Sequence, residues 1–152
     1  MTSVSKAFVE TEGRRGICMA VLPGVPEGAR EAWDPQGQDP RAPGEGRVCA
    51  PPGYPNEHVE LVIQTHLSSG GTEGQSERSR NHINVLSSDV VVALPGGPGT
   101  CSECLLAKRY GLPLLCFLGP GGEVTGLGRD GVEVATGIEE VRSWLDRVLP
   151  PA

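Results

Sequence analysis

The chain has 152 residues, a formal net charge of −6 and only 4% aromatic residues. That length suffices for one domain with its own core, here expected to span residues 1–152. The acidic balance leaves no Lys/Arg stripe to neutralise a nucleic-acid backbone or an anionic membrane, and so few aromatics exclude a base-stacking platform.

Residues 1–6 carry no apolar signal stretch, and no apolar run approaches the roughly 20 residues of a membrane-spanning helix, so a cytoplasmic protein is expected. Residues 2–11 read as the end of a helix. Residues 17–22 are continuously apolar and close on Pro23 and Gly24, the pattern of a strand buried on both faces. Residues 24–56 hold seven prolines and six glycines, which predicts a long Gly/Pro-rich insertion loop, read as a surface insertion or as a lid over a ligand. A second strand is predicted at 58–64, a Gly/Ser-rich connection at 65–75, and a helix at 76–87 with Ser76 as N-cap and Ile83 and Leu86 as its apolar stripe.

Residues 89–94 are the clearest buried strand. A helix follows at 100–110, with Leu105, Leu106 and Ala107 toward the core and Gly111 as its stop. Residues 112–118 form the next strand, 132–135 a short one, and 137–149 an amphipathic helix with Ile138, Val141, Leu145 and Val148 on one face. Strands alternating with helices imply an α/β three-layer sandwich with a mostly parallel sheet.

The five cysteines, an odd number without a signal peptide, fit reduced thiols. Cys18 and Cys116 read as core residues. Cys101 and Cys104 form a lone CxxC without a second pair or histidines at ligand spacing, so no metal is expected there, and the pair reads as small residues packed beside a turn or, alternatively, as a redox pair.

The chemistry concentrates in Leu94-Pro-Gly-Gly-Pro-Gly-Thr-Cys-Ser-Glu103. In a parallel sheet, ligands bind beyond the carboxyl ends of the strands, and this loop lies there. Gly96, Gly97 and Gly99 let the backbone approach a ligand closely, and the following helix start offers unpaired amides and positive potential. A phosphate or other oxyanion is the natural occupant, with Thr100 adding a hydroxyl; the alternative is a tight turn that merely joins strand to helix. The loop is neither a Walker A sequence nor Gly-x-Gly-x-x-Gly. Glu103, one turn into the helix, is placed to accept a ribose hydroxyl, act as a general base or stabilise positive charge on a sugar ring. Its alternative is a favourable interaction with the helix dipole alone. Arg80, at the start of the preceding helix, is expected at the same sheet edge, with Asn81 and Asn84 as polar neighbours and Arg78 as a competitor. The histidines are not expected to act.

The motif Pro95-Gly-Gly-Pro-Gly-Thr-Cys-Ser-Glu103 resembles the LOG family of the Rossmann-like SLOG superfamily, long labelled lysine decarboxylases, whose signature is Pro-Gly-Gly-x-Gly-Thr-x-x-Glu. Residues 80–89 are similar to the segment that carries that family's functional arginine, and also to the molybdenum-cofactor-carrier branch. The resemblance implies a Rossmann-like fold, a homodimer and hydrolysis of the N-glycosidic bond of a nucleoside 5′-monophosphate. It assigns the 5′-phosphate to Gly96, Gly97, Gly99 and Thr100, and chemistry at the ribose to Arg80 and Glu103. No cofactor is required by this reading, although a nucleotide or a molybdopterin-type compound is an expected ligand. The family has a further strand, helix and strand before the segment that residues 1–10 resemble, so the resemblance implies a chain shortened at its N-terminus. Three readings follow: a phosphoribohydrolase, a non-enzymatic carrier or sensor of a phosphorylated ligand, and an assembly surface with an empty site.

Overall fold

The computed structural model describes residues 2–24 and 55–150, so the expected insertion loop falls, but for its ends, outside the described residues. The chain divides into two compact units, one up to Ser68 and one from Ser69 onward.

The first unit contains helix α1 (Thr2–Glu10) and strands β1 (Met19–Leu22) and β2 (Leu61–Gln64). The strands pair in parallel, with Met19 opposite Leu61 and Leu22 opposite Gln64. Arg14 ties the unit together. Its guanidinium donates to Oε1 and Oε2 of Glu60 at 2.7 and 2.9 Å and stands over the Phe8 ring. Glu60 also accepts from the Cys18 amide at 2.8 Å, and these two bonds, Arg14 first, hold its carboxyl below its ordinary pKa. Where β1 and β2 end, Thr65 Oγ1 donates to the Leu22 carbonyl, and Gly24 lies so close to His66 that a Cβ would meet its carbonyl carbon at 2.6 Å.

The expectation that residues 17–22 are buried on both faces is corrected. Val21 and Leu22 are buried, but Ile17 is 60% exposed and Met19 46%. Cys18, expected in the core, is only half-buried. All four residues of β2 are exposed. Among the described residues of this unit the helix is nine residues long and its buried residue is Ser5, so these residues supply too little apolar surface to cover two faces of the sheet.

The second unit is a three-layer α/β sandwich. A 3₁₀ turn (Gly71–Glu73) leads to α2 (Asn81–Leu86), β3 (Val91–Ala93), α3 (Pro98–Tyr110), β4 (Leu114–Phe117), β5 (Glu133–Ala135) and α4 (Ile138–Val148). The strands lie in the order β3-β4-β5, all parallel, with Val91 opposite Leu114 and Cys116 opposite Val134. Parallel neighbours need a crossover, and α3 is the one between β3 and β4. The two-residue period of β4 builds both cores. Leu114 and Cys116 join Val85, Cys101, Cys104, Leu106 and Ala107 on one face, while Leu115 joins Val141 and Trp144 on the other.

Several boundaries differ from expectation. The helix expected at 76–87 starts only at Asn81, with Arg80 as its N-cap. Ser76 is no cap, because residues 76–79 are spent on turns: Ser79 N–H donates to Ser76 O, and Ser69 N–H to Arg78 O. Its buried residues are Asn81 and Val85, one turn apart, whereas Leu86 is 59% exposed. In α4 the expected anchor Ile138 is exposed, and Trp144 fills the core with Val141 instead. In α3, Leu106 and Ala107 are fully buried as expected, Leu105 is partly buried against them, and Gly111 ends the helix at φ +69°.

Candidate functional site

The loop after β3 is pinned by backbone bonds. Gly96 N–H donates to Glu123 O at 3.1 Å, and Gly96 O accepts from Thr125 N–H at 2.9 Å. Both backbone groups of Gly96 are therefore spent within the protein. A Cβ here would also collide with the Thr100 side chain, its Cβ being 2.9 Å away. Gly96 shapes the loop so that Thr100 can fold back over it.

Gly97 and Gly99 are glycines for a different reason. Among the described residues, a Cβ on either would meet nothing within 4 Å. Gly97, the N-cap of α3, has φ −97°, which any residue adopts, and Gly99 has no positive φ. Neither packing nor backbone geometry demands glycine, so what the two share is open space before the helix start. Pro98 occupies the first helical position and has no N–H. The first bond of the helix turn is Cys101 N–H to Gly97 O at 3.0 Å. Among the described residues, none accepts from the amides of Gly97, Gly99 and Thr100. Unpaired amides at a helix start attract an anion, aided by the helix dipole.

Glu103 follows Thr100 by three residues and Gly99 by four, which places it on the same face of α3, one turn on. Here α2 meets α3. Arg80 Nη1 stands 3.9 Å from Glu103 Oε1, with the two side chains 26% and 28% exposed. Asn84, one turn after Arg80 on α2, donates from Nδ2 to the same oxygen at 3.1 Å. The arginine competitor from the sequence, Arg78, is exposed and lies in the bridge to Ser69. The structure therefore brings Arg80 and Glu103 together, and Asn84 with them. Its signal in the sequence is the four-residue spacing from Arg80.

The residue model of the SLOG cluster4 family matches positions 50–142, more than half of the chain and the stretch that holds α2, β3, the glycine loop and α3. The chain belongs to the SLOG cluster4 family. No curated protein and no solved structure matches it.

Other polar groups of this SLOG cluster4 chain are engaged structurally. His82 Nδ1 is 2.6 Å from the Tyr110 hydroxyl, and Nε2 faces the carbonyls of Gln75 and Ser76 at 3.2 and 3.0 Å. Two carbonyls require Nε2 to carry a proton, and with Nδ1 bonded to the Tyr110 hydroxyl the ring staples α2 to the end of α3. Ser102, not singled out by the sequence, donates to Gly71 O at 2.8 Å and clamps the 3₁₀ turn onto α3. Gly74 makes room for it, since a Cβ would lie 2.6 Å from Ser102 Cβ. Cys101 and Cys104 are buried in the core with Cys116, and burial pushes the Cys104 thiol up to about 12. Among the described residues no group of three His, Cys, Asp or Glu is placed to hold a metal ion, and no helix is long and apolar enough to cross a membrane.

Two clefts of this unit lie away from the glycine loop. The larger, about 440 Å³, runs between β5 and α4. Two of its acidic residues are engaged: Glu133 accepts from Trp144 Nε1 and pairs with Arg147, and Glu140 caps α4 through the Thr136 and Gly137 amides. The smaller, about 130 Å³, lies beside Cys116, Val124 and Val132. Neither of these two clefts is lined by Gly97, Gly99, Thr100 or Glu103.

Proposed function

We propose that this SLOG cluster4 protein binds the phosphate of a nucleoside 5′-monophosphate at the start of α3 and hydrolyses its N-glycosidic bond. The observation that carries this reading is the meeting of Arg80 and Glu103 at 3.9 Å, on the helix whose first amides have no acceptor among the described residues. The amides of Gly97, Gly99 and Thr100 and the Thr100 hydroxyl take the phosphate. Gly96 contributes the shape of the loop.

In the reaction, the bond between ribose C1′ and the base nitrogen breaks and its electron pair leaves with the base, which takes up a proton. Water adds to C1′ and gives up a proton, yielding ribose 5-phosphate. Charge builds on the ribose ring as the base departs, and the Glu103 carboxylate stabilises it or takes the proton from water. Arg80 binds the anionic ligand beside it.

The test is incubation with adenosine monophosphate and other nucleoside monophosphates, with free base followed by chromatography. Base is released by the wild type and not by Glu103→Ala. Absence of base release from the wild type refutes the hydrolase. One observation favours a second reading, a non-enzymatic carrier or sensor of a phosphorylated ligand such as a nucleotide or a molybdopterin-type compound. Neither of the two clefts described above is lined by Arg80, Thr100 or Glu103. A carrier needs only the amide nest, whereas hydrolysis needs walls that hold sugar and water in line. Nucleotide that raises the melting temperature without base release selects the carrier.

A further inference from the structure

Glu103 Oε1 accepts from Asn84 Nδ2 at 3.1 Å, and the same oxygen is the one nearest Arg80, at 3.9 Å. A carboxylate only accepts, so the Asn84 amide must present its NH₂ and not its oxygen. No donor among the described residues reaches Oε2 of Glu103. Asn84 is itself held: its N–H donates to Arg80 O at 3.1 Å, and its carbonyl accepts from Ser88 Oγ at 2.9 Å. A glutamate on a helix surface turns about three bonds, and fixing it costs up to about 2 kcal/mol of side-chain entropy. A neutral donor from the neighbouring helix fixes the carboxylate without adding a charge to the site.

We infer that Asn84 is a positioning residue that locks the roll of the Glu103 carboxylate, dedicating Oε1 to the protein and Oε2 to a sugar hydroxyl of the ligand. This rests on the phosphate reading of the helix start. Asn84 then supplies discrimination rather than phosphate affinity: it makes the site prefer a phosphorylated sugar over phosphate itself. Among the described residues, the groups that meet Glu103 are Arg80, the N-cap of α2, and Asn84 of α2, while the adjacent Cys104 thiol feels its charge.

The experiment is calorimetric titration of the full chain with inorganic phosphate and with ribose 5-phosphate, for the wild type, Asn84→Leu, Asn84→Asp and Asn84→Gln, each checked by thermal melting. The wild type is expected to prefer ribose 5-phosphate. Asn84→Leu is expected to lose about tenfold of that preference, about 1.4 kcal/mol, while keeping its phosphate affinity within twofold. Asn84→Asp loses the preference at neutral pH, where two carboxylates repel, and regains it in acid, where they share a proton. Asn84→Gln, which keeps a donor amide, recovers part of it. An unchanged preference in the Leu and Asp variants overturns the role of Asn84 and leaves the phosphate site standing. Equal loss of both ligands in Asn84→Leu also overturns it, since that marks a structural role. A wild type that binds neither ligand overturns the phosphate reading, and this inference falls with it.

Discussion

The Arg80 guanidinium stands 3.9 Å from Oε1 of Glu103 and donates no hydrogen bond to it. With both side chains about a quarter exposed, so loose a pair contributes at most about 1 kcal/mol to stability. The five donors of Arg80 are better used by a ligand than by the fold. Arg80→Ala is therefore expected to melt close to the wild type while losing a charge-assisted contact of about 1.5–3 kcal/mol to a phosphorylated ligand, roughly ten- to a hundredfold in affinity. Arg80→Lys should recover only part, because the planar fork is lost. A melting temperature that collapses in Arg80→Ala would mean the pair serves the fold.

The two halves of the glycine loop predict opposite outcomes. Gly96→Ala drives a Cβ into Thr100, and overpacking of this kind costs about 1–3 kcal/mol. At Gly97 an added Cβ meets no atom of the described residues within 4 Å, which leaves room for Gly97→Val. It should melt close to the wild type and lose phosphate-dependent stabilisation, since its side chain projects where the anion is proposed to sit. Thermal melts with and without phosphate separate the two. Retained stabilisation by phosphate in Gly97→Val would refute the nest.

What the sequence made legible were features set by local chemistry. The glycine turn, Gly111 as a helix stop and a strand within 89–94 follow from composition along a short stretch, although only Ala93 of β3 is buried and Val92 is exposed; the approach of Arg80 to the glycine loop follows from the direction of the helix before β3. What it hid depended on competition between distant groups. Ser76 has the chemistry of a cap, but Ser79 and the Ser69 bridge claim that stretch first. Ile138 continues the apolar stripe of α4, yet Trp144 takes the core because its Nε1 finds Glu133 on β5 at 2.9 Å. The duty of Gly96 was hidden for the same reason: its partners, Glu123 and Thr125, lie more than twenty residues along the chain. Asn84 appeared only as a polar neighbour, because its acceptor belongs to another helix.

Glu133 predicts a pH dependence. The hydrogen bond from Arg147, then that from Trp144, holds its carboxyl below the ordinary 4.5. A group whose pKa is lower in the folded chain stabilises the fold above the unfolded value, and that contribution is lost as pH falls through the folded one. The difference in melting temperature between wild type and Glu133→Gln should therefore be present at pH 7, shrink below about 4.5 and close in stronger acid. A difference that is constant across that range would show the ionic contacts to be idle. The group is exposed, so the effect should also weaken in high salt.

Leu106 is fully buried against the core that carries α3 onto the sheet. Truncation to Ala removes three buried carbons and leaves a cavity, which costs about 2–5 kcal/mol. Denaturant unfolding should show this as a lower midpoint at an unchanged slope.

Cys104 works in the opposite pH direction from Glu133. Its side chain has no exposure, and burial, followed by the charge of the neighbouring Cys116, pushes its thiol from 9.0 up to about 12. A group raised on folding contributes its full stability below the unfolded value, and loses it as pH rises toward the folded one, because the unfolded chain ionises first. Melting temperature should therefore fall between pH 9 and 12, less steeply in Cys104→Ala after allowance for its lower starting point. The same burial predicts the order of alkylation. Only the thiolate reacts, so iodoacetamide at neutral pH should label half-buried Cys18 well before Cys104 or Cys116. Mass spectrometry of the native protein reads this directly. Early labelling of Cys104 would mean that α3 lifts from the sheet on that timescale, and with it the helix start where the ligand is proposed to bind.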